Sequence, residues 1–107
     1  MNVSLLSGEI VTRPTDLGGG LGIKFLLKTR YPSRREGVRT SKAFVPCVVF
    51  DVTPEQREIL LSKDFVKTWV ELVGRIVRSS HENEGGQRIY NTEVFTNSAG
   101  LMLKKVK

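Results

Sequence analysis

The sequence has few of the residues on which disulfide and metal chemistry depend. Its 107 residues include one cysteine, one histidine and one tryptophan. A single cysteine, Cys47, excludes an internal disulfide, and neither Cys47 nor His81 has the paired spacing that metal ligands need. We therefore predict an inert buried thiol at Cys47, no metal site and a reducing, cytoplasmic setting.

Long apolar runs and targeting signals are also missing. The first residues, MNVSLLSGEIV, lack the basic stretch and apolar run of a signal peptide. The most apolar stretch, AFVPCVVFDV, is too short to span a membrane. No nucleophile, base and orienting residue can be assembled with any specificity. We predict no membrane partner, no catalytic residues and no enzymatic activity.

Acidic residues are fewer than basic residues in this sequence. Seventeen Lys and Arg against eleven Asp and Glu give a net charge of +6, which favours nucleic acid or another anionic partner. The length predicts a single domain over residues 1–107. The stretch TRYPSRREGVRTSK, residues 29–42, carries one acid, Glu36, and five basic side chains, Arg30, Arg34, Arg35, Arg39 and Lys42. We call residues 29–42 the basic segment and predict that it is a loop. Because most charged runs are only solvated, its charge alone identifies no ligand.

The apolar pattern favours strands. Residues 3–11 and 23–29 predict two strands joined by a turn at GGGLG, which is no phosphate cradle because a strand follows it. Residues 43–52 predict a third strand, with Pro46 at an edge or a bulge. Thr53, Pro54 and Gln56 have the spacing of a capping box at the start of a short helix. Residues 68–80 and 87–97 predict two more strands around the hairpin tip HENEGG, and residues 100–107 a short additional one.

The predicted elements occur in the order of the OB-fold, with three strands, then a short helix, then two strands. The OB-fold is a five-stranded Greek-key barrel that binds oligonucleotides. We therefore predict an all-β OB-fold with its helix between the third and fourth strands. An SH3-like barrel or a plain meander has compatible elements, because propensity does not specify strand order.

The third predicted strand is apolar on both faces. Alternation places Phe44, Pro46, Val48 and Phe50 on one face, and residues 43, 45, 47 and 49 on the other. A barrel interior needs one apolar face, so the second meets a subunit, another element or a stacking ligand. Phe44 and Phe50 are thus candidates for the core or for base stacking. Aromatic side chains beside a cationic segment are the combination that single-strand binding requires.

Several segments resemble the bacterial single-stranded DNA-binding protein (SSB) family. They are NVSLLSGEIVTRP, FVPCVVF, VELVGRIVRSS and, most specifically, RIYNTEV after a glycine hairpin, and together they extend nearly end to end. The resemblance implies an OB-fold, single-stranded DNA as ligand and a role in DNA replication, recombination or repair. It also implies a homodimer or homotetramer and no cofactor.

By position, the resemblance places Phe44 and His81 where the family has stacking tryptophans, and Phe50 at a stacking phenylalanine. The basic segment corresponds to the family's flexible DNA-contacting hairpin. The predicted nucleic-acid-binding residues are Lys24, Arg30, Tyr31, Arg34, Arg35, Arg39, Lys42, Phe44, Phe50, Arg75, Arg78, His81 and Arg88.

Three features depart from the family. The glycine-rich first hairpin is shorter than is usual in the family. The single tryptophan, Trp69, lies at the start of the fourth predicted strand, and we expect it to be partly buried near a subunit interface or barrel end. The sequence also carries no acidic tail. The resemblance therefore leaves open a specialised single-strand binder or a relative of the tailless primosomal protein PriB, with replication or primosome proteins as partners. An OB-fold that binds RNA or serves only as a protein-interaction module is a further alternative.

Overall fold

The computed structural model describes residues 3–19, 21–32, 37, 40–63, 65 and 68–105. These residues form seven strands, a helix and a final 3-10 turn at Ser98–Gly100. In chain order the elements are β1 (Ser4–Ile10), β2 (Thr15–Asp16), β3 (Ile23–Pro32), β4 (Thr40–Phe50), α1 (Pro54–Leu61), β5 (Thr68–Glu82), β6 (Arg88–Asn97) and β7 (Leu101–Lys105).

Five strands close into a ring in the order β1, β3, β4, β6, β5 and back to β1. β4 and β6 run parallel, whereas the other ring neighbours are antiparallel. The two short strands β2 and β7 extend the sheet beside β3 and β5. A five-stranded ring with one helix between its third and fourth strands is the OB-fold topology, so the predicted fold is confirmed. The ring closure also excludes the plain meander.

Alternate side chains of the ring fill its interior. On β3 and β4, Phe25 lies opposite Cys47 and Ile23 lies opposite Val49, all buried on one face of the sheet. The buried cluster consists of Ile10, Ile23, Phe25, Leu27, Cys47, Val49, Leu60, Val70, Leu72, Val94 and Leu101. Burial raises the pKa of the Cys47 thiol to about 12, so the predicted buried thiol is confirmed.

The helix begins as the sequence predicts. The Thr53 side chain accepts a hydrogen bond from the Gln56 backbone N–H at 3.1 Å, and the Gln56 side chain accepts one from the Thr53 N–H at 3.2 Å. Gln56 also donates to the carbonyl oxygens of Ser98 and Leu101, at 3.0 and 3.3 Å. Leu60 is fully buried, so the capping box, Gln56 and Leu60 together hold the helix against the barrel.

The glycine-rich hairpin between β1 and β3 is confirmed as a turn. Gly18 and Gly22 have φ of +73° and +105°, values that side chains rarely tolerate. A Cβ on Gly22 would lie 2.3 Å from the Val49 carbonyl oxygen, so this position also has no space for a side chain. The pKa of the Asp16 carboxyl is held below its usual value, mainly by the hydrogen bond that it accepts from the Gly18 N–H and also by its ion pair with Arg57. The turn is therefore tied to the helix.

The predicted extent of the basic segment is wrong at both ends. β3 continues to Pro32 and β4 begins at Thr40, with backbone pairs joining Arg30 to Lys42 and Pro32 to Thr40. Pairing between neighbouring strands overrides the local charge pattern, because strand formation depends on cross-strand context. The basic segment thus includes the ends of two paired strands, at residues 29–32 and 40–42, and is not a loop throughout.

Two other boundaries also differ from the prediction. β4 ends at Phe50, not at residue 52, because Asp51 adopts φ +52° and leaves the extended conformation. β5 continues through His81 to Glu82, so His81 lies in a strand and not in the hairpin tip. The tip begins at Asn83, whose side-chain oxygen accepts hydrogen bonds from the Gly85 and Gln87 backbone N–H groups. Asn favours turns of this kind, which explains why the hairpin tip begins at Asn83 and not at His81 as predicted.

Among the described residues, no helix is long and apolar enough to cross a membrane.

Candidate nucleic-acid interface

The outer face of the barrel, meaning the side of β3, β4, β5 and β6 turned away from the core, carries the two predicted stacking residues. Phe44 is 57% exposed and Phe50 is half-buried, and neither belongs to the buried cluster. Val48, between them, is buried opposite Lys24 on β3 and Phe95 on β6. The face is thus apolar but only partly open, with Phe44 near the middle of β4 and Phe50 at its end.

Phe50 has an aromatic partner that the sequence analysis missed. Its ring meets that of Phe95 edge to face, with centroids 5.2 Å apart and planes at 75°. Phe95 follows the buried Val94, and strand alternation would have placed it on the outer face. Its pairing with Phe50 depends on the parallel contact of β4 with β6, which the sequence pattern does not reveal.

The aromatic pair borders an open cleft of about 420 Å³, which we call the aromatic cleft. A Cβ on Gly74 would lie 2.5 Å from the Phe95 carbonyl oxygen, so the strands pack closely here because that residue is glycine. The cleft is lined by Phe50, Asp51, Val73, Gly74, Arg75, Phe95, Thr96 and Asn97. Aromatic surface and an exposed guanidinium therefore border one depression that is open to solvent.

The predicted cations differ in how far they are already paired. The Lys24 Nζ lies 3.1 Å from the Glu93 carboxylate, whereas Arg75 and Lys42 are exposed and have no ion pair among the described residues. Because an exposed ion pair contributes only about 0–1 kcal/mol, Lys24 can exchange Glu93 for a phosphate at little cost. Within the described ranges, no group of three or more potential metal ligands occurs.

The hairpin formed by β5 and β6 extends beyond the core and separates the other predicted residues. The Arg78 guanidinium lies 4.9 Å from the centre of the Tyr90 ring, and Arg88 donates to the Ser80 hydroxyl at 2.9 Å. Alternation places these four residues on one face of the hairpin. His81 lies on the opposite face, which continues the outer face past Arg75 and Phe95. Tyr90, 57% exposed, is a second aromatic residue that the sequence analysis did not select.

The basic segment is only partly described. Arg30 and Tyr31 lie in β3, and their side chains fall outside the described part of the structure. Arg34, Arg35 and Arg39 also lie outside the described residues. Their proposed DNA contacts therefore stay predictions.

The solved structures that share this architecture include two single-stranded DNA-binding proteins. A Plasmodium falciparum SSB in complex with ssDNA aligns over 100% of this chain and 96% of its own, with 22% identity and a TM-score of 0.70. A small single-stranded DNA-binding protein from Mycoplasma pneumoniae aligns over 89% and 87%, with 15% identity and a TM-score of 0.57. The shared feature is the fold. No protein-family model and no curated protein matches the chain.

Proposed function

We propose that this protein binds single-stranded DNA with little sequence preference and acts in DNA replication, recombination or repair, as a binding protein rather than an enzyme. The observation that carries the proposal is the aromatic cleft, where Phe50 and Phe95 lie beside the exposed Arg75 on the outer face of an OB-fold. Both structural neighbours are described as single-stranded DNA-binding proteins, which supports the same ligand for this chain.

Bases stack on the aromatic side chains. Phe44 offers an exposed ring near the middle of β4, and the Phe50–Phe95 pair offers aromatic surface at the end of the strand. A strand rises about 3.3 Å per residue, so the six steps from Phe44 to Phe50 span roughly 20 Å. This distance is long enough for several nucleotides between the two sites. Stacking tolerates any base because every base has a π-face.

Phosphates are neutralised by cations that flank the aromatic surface. Arg75 lines the aromatic cleft, and Lys42, the last residue of the basic segment, lies two residues before Phe44 on β4. Each neutralised phosphate releases counterions, so binding weakens as salt is added. Duplex DNA presents the same phosphates but keeps its bases stacked on one another, so it gains nothing from the phenylalanines.

The test is a titration of labelled oligo-dT, the matching duplex and the equivalent RNA at several salt concentrations. We expect oligo-dT to bind more tightly than duplex at every salt concentration, and affinity to fall as salt rises. Equal affinity for single strand and duplex would contradict the proposal. Tighter binding of RNA than of DNA would instead favour the RNA-binding alternative.

A surface that adjoins the aromatic cleft and shares Val73 with it favours association with another copy of this chain. Leu5, Val73 and Met102 are 78%, 48% and 54% exposed and lie together on the outside of β1, β5 and β7, where they line a shallow depression with Ala99. We call them the apolar patch. Trp69, half-buried as expected, lies on the same face of β5. Exposed apolar groups that cluster in this way mark interaction sites.

The partner that fits the apolar patch best is a second copy. Two chains of charge +6 repel one another, but charge at this surface is balanced because Lys104 lies 3.6 Å from Glu71 beside the patch. The stretch of β1 from Ser4 to Ser7 pairs with β5 on one edge and, among the described residues, has no strand on its other edge. An open strand edge beside an apolar patch is suited to self-association. We propose a homodimer or homotetramer.

Sedimentation of the native chain and of a Leu5→Glu variant tests this assembly. The native chain should sediment as a dimer or larger, and Leu5→Glu as a monomer because a carboxylate would be buried in the interface. Leu21→Glu, at a 61% exposed position in the glycine-rich turn, is the matched control and should not change the assembly. A native monomer at micromolar concentration would contradict self-association and would leave the patch to a replication or primosome protein.

A further inference from the structure

The aromatic cleft contains a carboxylate whose presence the fold does not require. Asp51 follows β4 directly, is exposed, and has neither a hydrogen bond nor an ion pair among the described residues. Its φ of +52° is tolerated by Gly and Asn at least as well as by Asp. A negative charge in a cleft for a polyanion also opposes binding. The backbone conformation therefore favours a short polar residue here but does not select the charge of Asp over the neutral side chain of Asn.

Asn97 contributes the second polar group of the cleft. Its side-chain oxygen accepts a hydrogen bond from the Gly100 N–H at 3.1 Å, as the cap of the final 3-10 turn. Since only the oxygen can accept from an N–H, the Asn97 NH₂ group is the part that remains available to a ligand. The cleft thus offers a charged acceptor at Asp51 and an amide donor at Asn97, beside the Phe50–Phe95 pair.

This donor and acceptor pair matches the hydrogen-bonding edge of one base better than the others. Guanine presents two adjacent donors, N1–H and N2–H₂, next to the acceptor O6. A carboxylate accepts from the two donors, and an amide NH₂ donates to O6. Thymine presents one donor between two carbonyl oxygens, which a carboxylate repels. Adenine and cytosine offer one amino group and a neighbouring acceptor.

We infer that Asp51 and Asn97 read one base of the bound strand and that this subsite prefers guanine to thymine. The inference rests on the proposed single-strand binding and adds a modest preference at one position of a largely sequence-tolerant surface. Asp51 and Asn97 act as specificity-determining residues, while stacking on the phenylalanines serves any base.

The experiment compares oligo-dT with an alternating dT-dG strand of equal length, for the native chain and for Asp51→Asn. Asn keeps the left-handed backbone conformation, so the variant should melt as the native chain does. The native chain should prefer the dT-dG strand by about tenfold, equivalent to ~1.4 kcal/mol and within the range of one bidentate base contact. Asp51→Asn should lose most of that preference and bind oligo-dT no less tightly.

Two controls separate base reading from charge and from stacking. Glu58→Gln removes an exposed carboxylate from α1, outside the aromatic cleft, and should leave the preference unchanged. A strand of dT and inosine lacks the N2 amino group but keeps a purine for stacking. The native chain should bind it less tightly than the dT-dG strand, whereas Asp51→Asn should bind both alike.

The outcomes distinguish the two proposals. If the native chain and Asp51→Asn bind single strands with the same preference between the dT-dG strand and oligo-dT, the base-reading inference is overturned and the proposed function stands. If the native chain binds neither strand, the proposed function is overturned, and the inference with it.

Discussion

Replacing Phe50 with alanine perturbs the aromatic cleft at its most informative position. The side chain is half-buried on the outer face, so its removal should cost less than the roughly 3–5 kcal/mol of a fully buried Phe→Ala change. The lost edge-to-face contact with Phe95 contributes about 0.5–1.5 kcal/mol, and we expect a total loss of about 1–2 kcal/mol in the free energy of unfolding. Loss of one stacked base should weaken oligo-dT binding by about 1–3 kcal/mol.

The assay pairs a urea titration with fluorescence anisotropy of labelled oligo-dT. The expected binding loss corresponds to about 5- to 150-fold in Kd, at a urea concentration where the variant is folded. Phe25→Leu is the matched control, because Phe25 is 3% exposed and faces the interior. It should lower stability by less than about 1.5 kcal/mol and leave the Kd unchanged. A folded Phe50→Ala variant with native affinity would refute the reasoning, and a collapse in stability would assign Phe50 to the core.

Three further predictions concern the glycine turn, the basic segment and the buried thiol. Gly22→Ala should lower the free energy of unfolding by more than the roughly 1–2 kcal/mol that a left-handed residue costs, whereas Gly19→Ala, with open space around it, should cost only that amount in the same urea titration. Neutralising Arg34 and Arg35 together should flatten the slope of log K against log salt by about 1–1.5, because each neutralised single-strand phosphate contributes about 0.7 to that slope. An unchanged slope would mean that these arginines are only solvated. Because burial raises the pKa of the Cys47 thiol from 9.0 to about 12, this thiol ionises at lower pH in the unfolded chain than in the folded one, and the free energy of unfolding should decline as pH rises above 9. Native Cys47 should also resist thiol reagents at pH 8, and rapid labelling of the folded chain would contradict this.

Local sequence patterns predicted those parts of the structure that depend on near neighbours. The capping box of Thr53 and Gln56 lies within four residues, and both of its hydrogen bonds form. The opposite faces of β4 follow from alternation alone, which placed Phe44 and Phe50 away from the buried Cys47. Element order and the resemblance to the SSB family then predicted the OB-fold, which strand propensity alone could not distinguish from a meander.

The aromatic cleft could not be predicted, because it depends on contacts between distant parts of the chain. Phe95 reaches Phe50 only because β6 runs parallel to β4, and Gly74 forms part of the cleft only because β5 packs on β6. The left-handed conformation of Asp51 likewise became visible only in the structure. The extension of β3 to Pro32 has the same origin, since pairing with β4 supplied order that the charged sequence did not indicate.

The most direct test of the central claim is to map oligo-dT on the protein by the backbone amide shifts that binding changes. If single strands bind as proposed, the largest shifts should fall on the outer face at Phe44, Phe50, Arg75 and Phe95, while Leu5 and Met102 of the apolar patch should shift little. Saturating oligo-dT without shifts on the outer face, or with shifts confined to the apolar patch, would contradict the account.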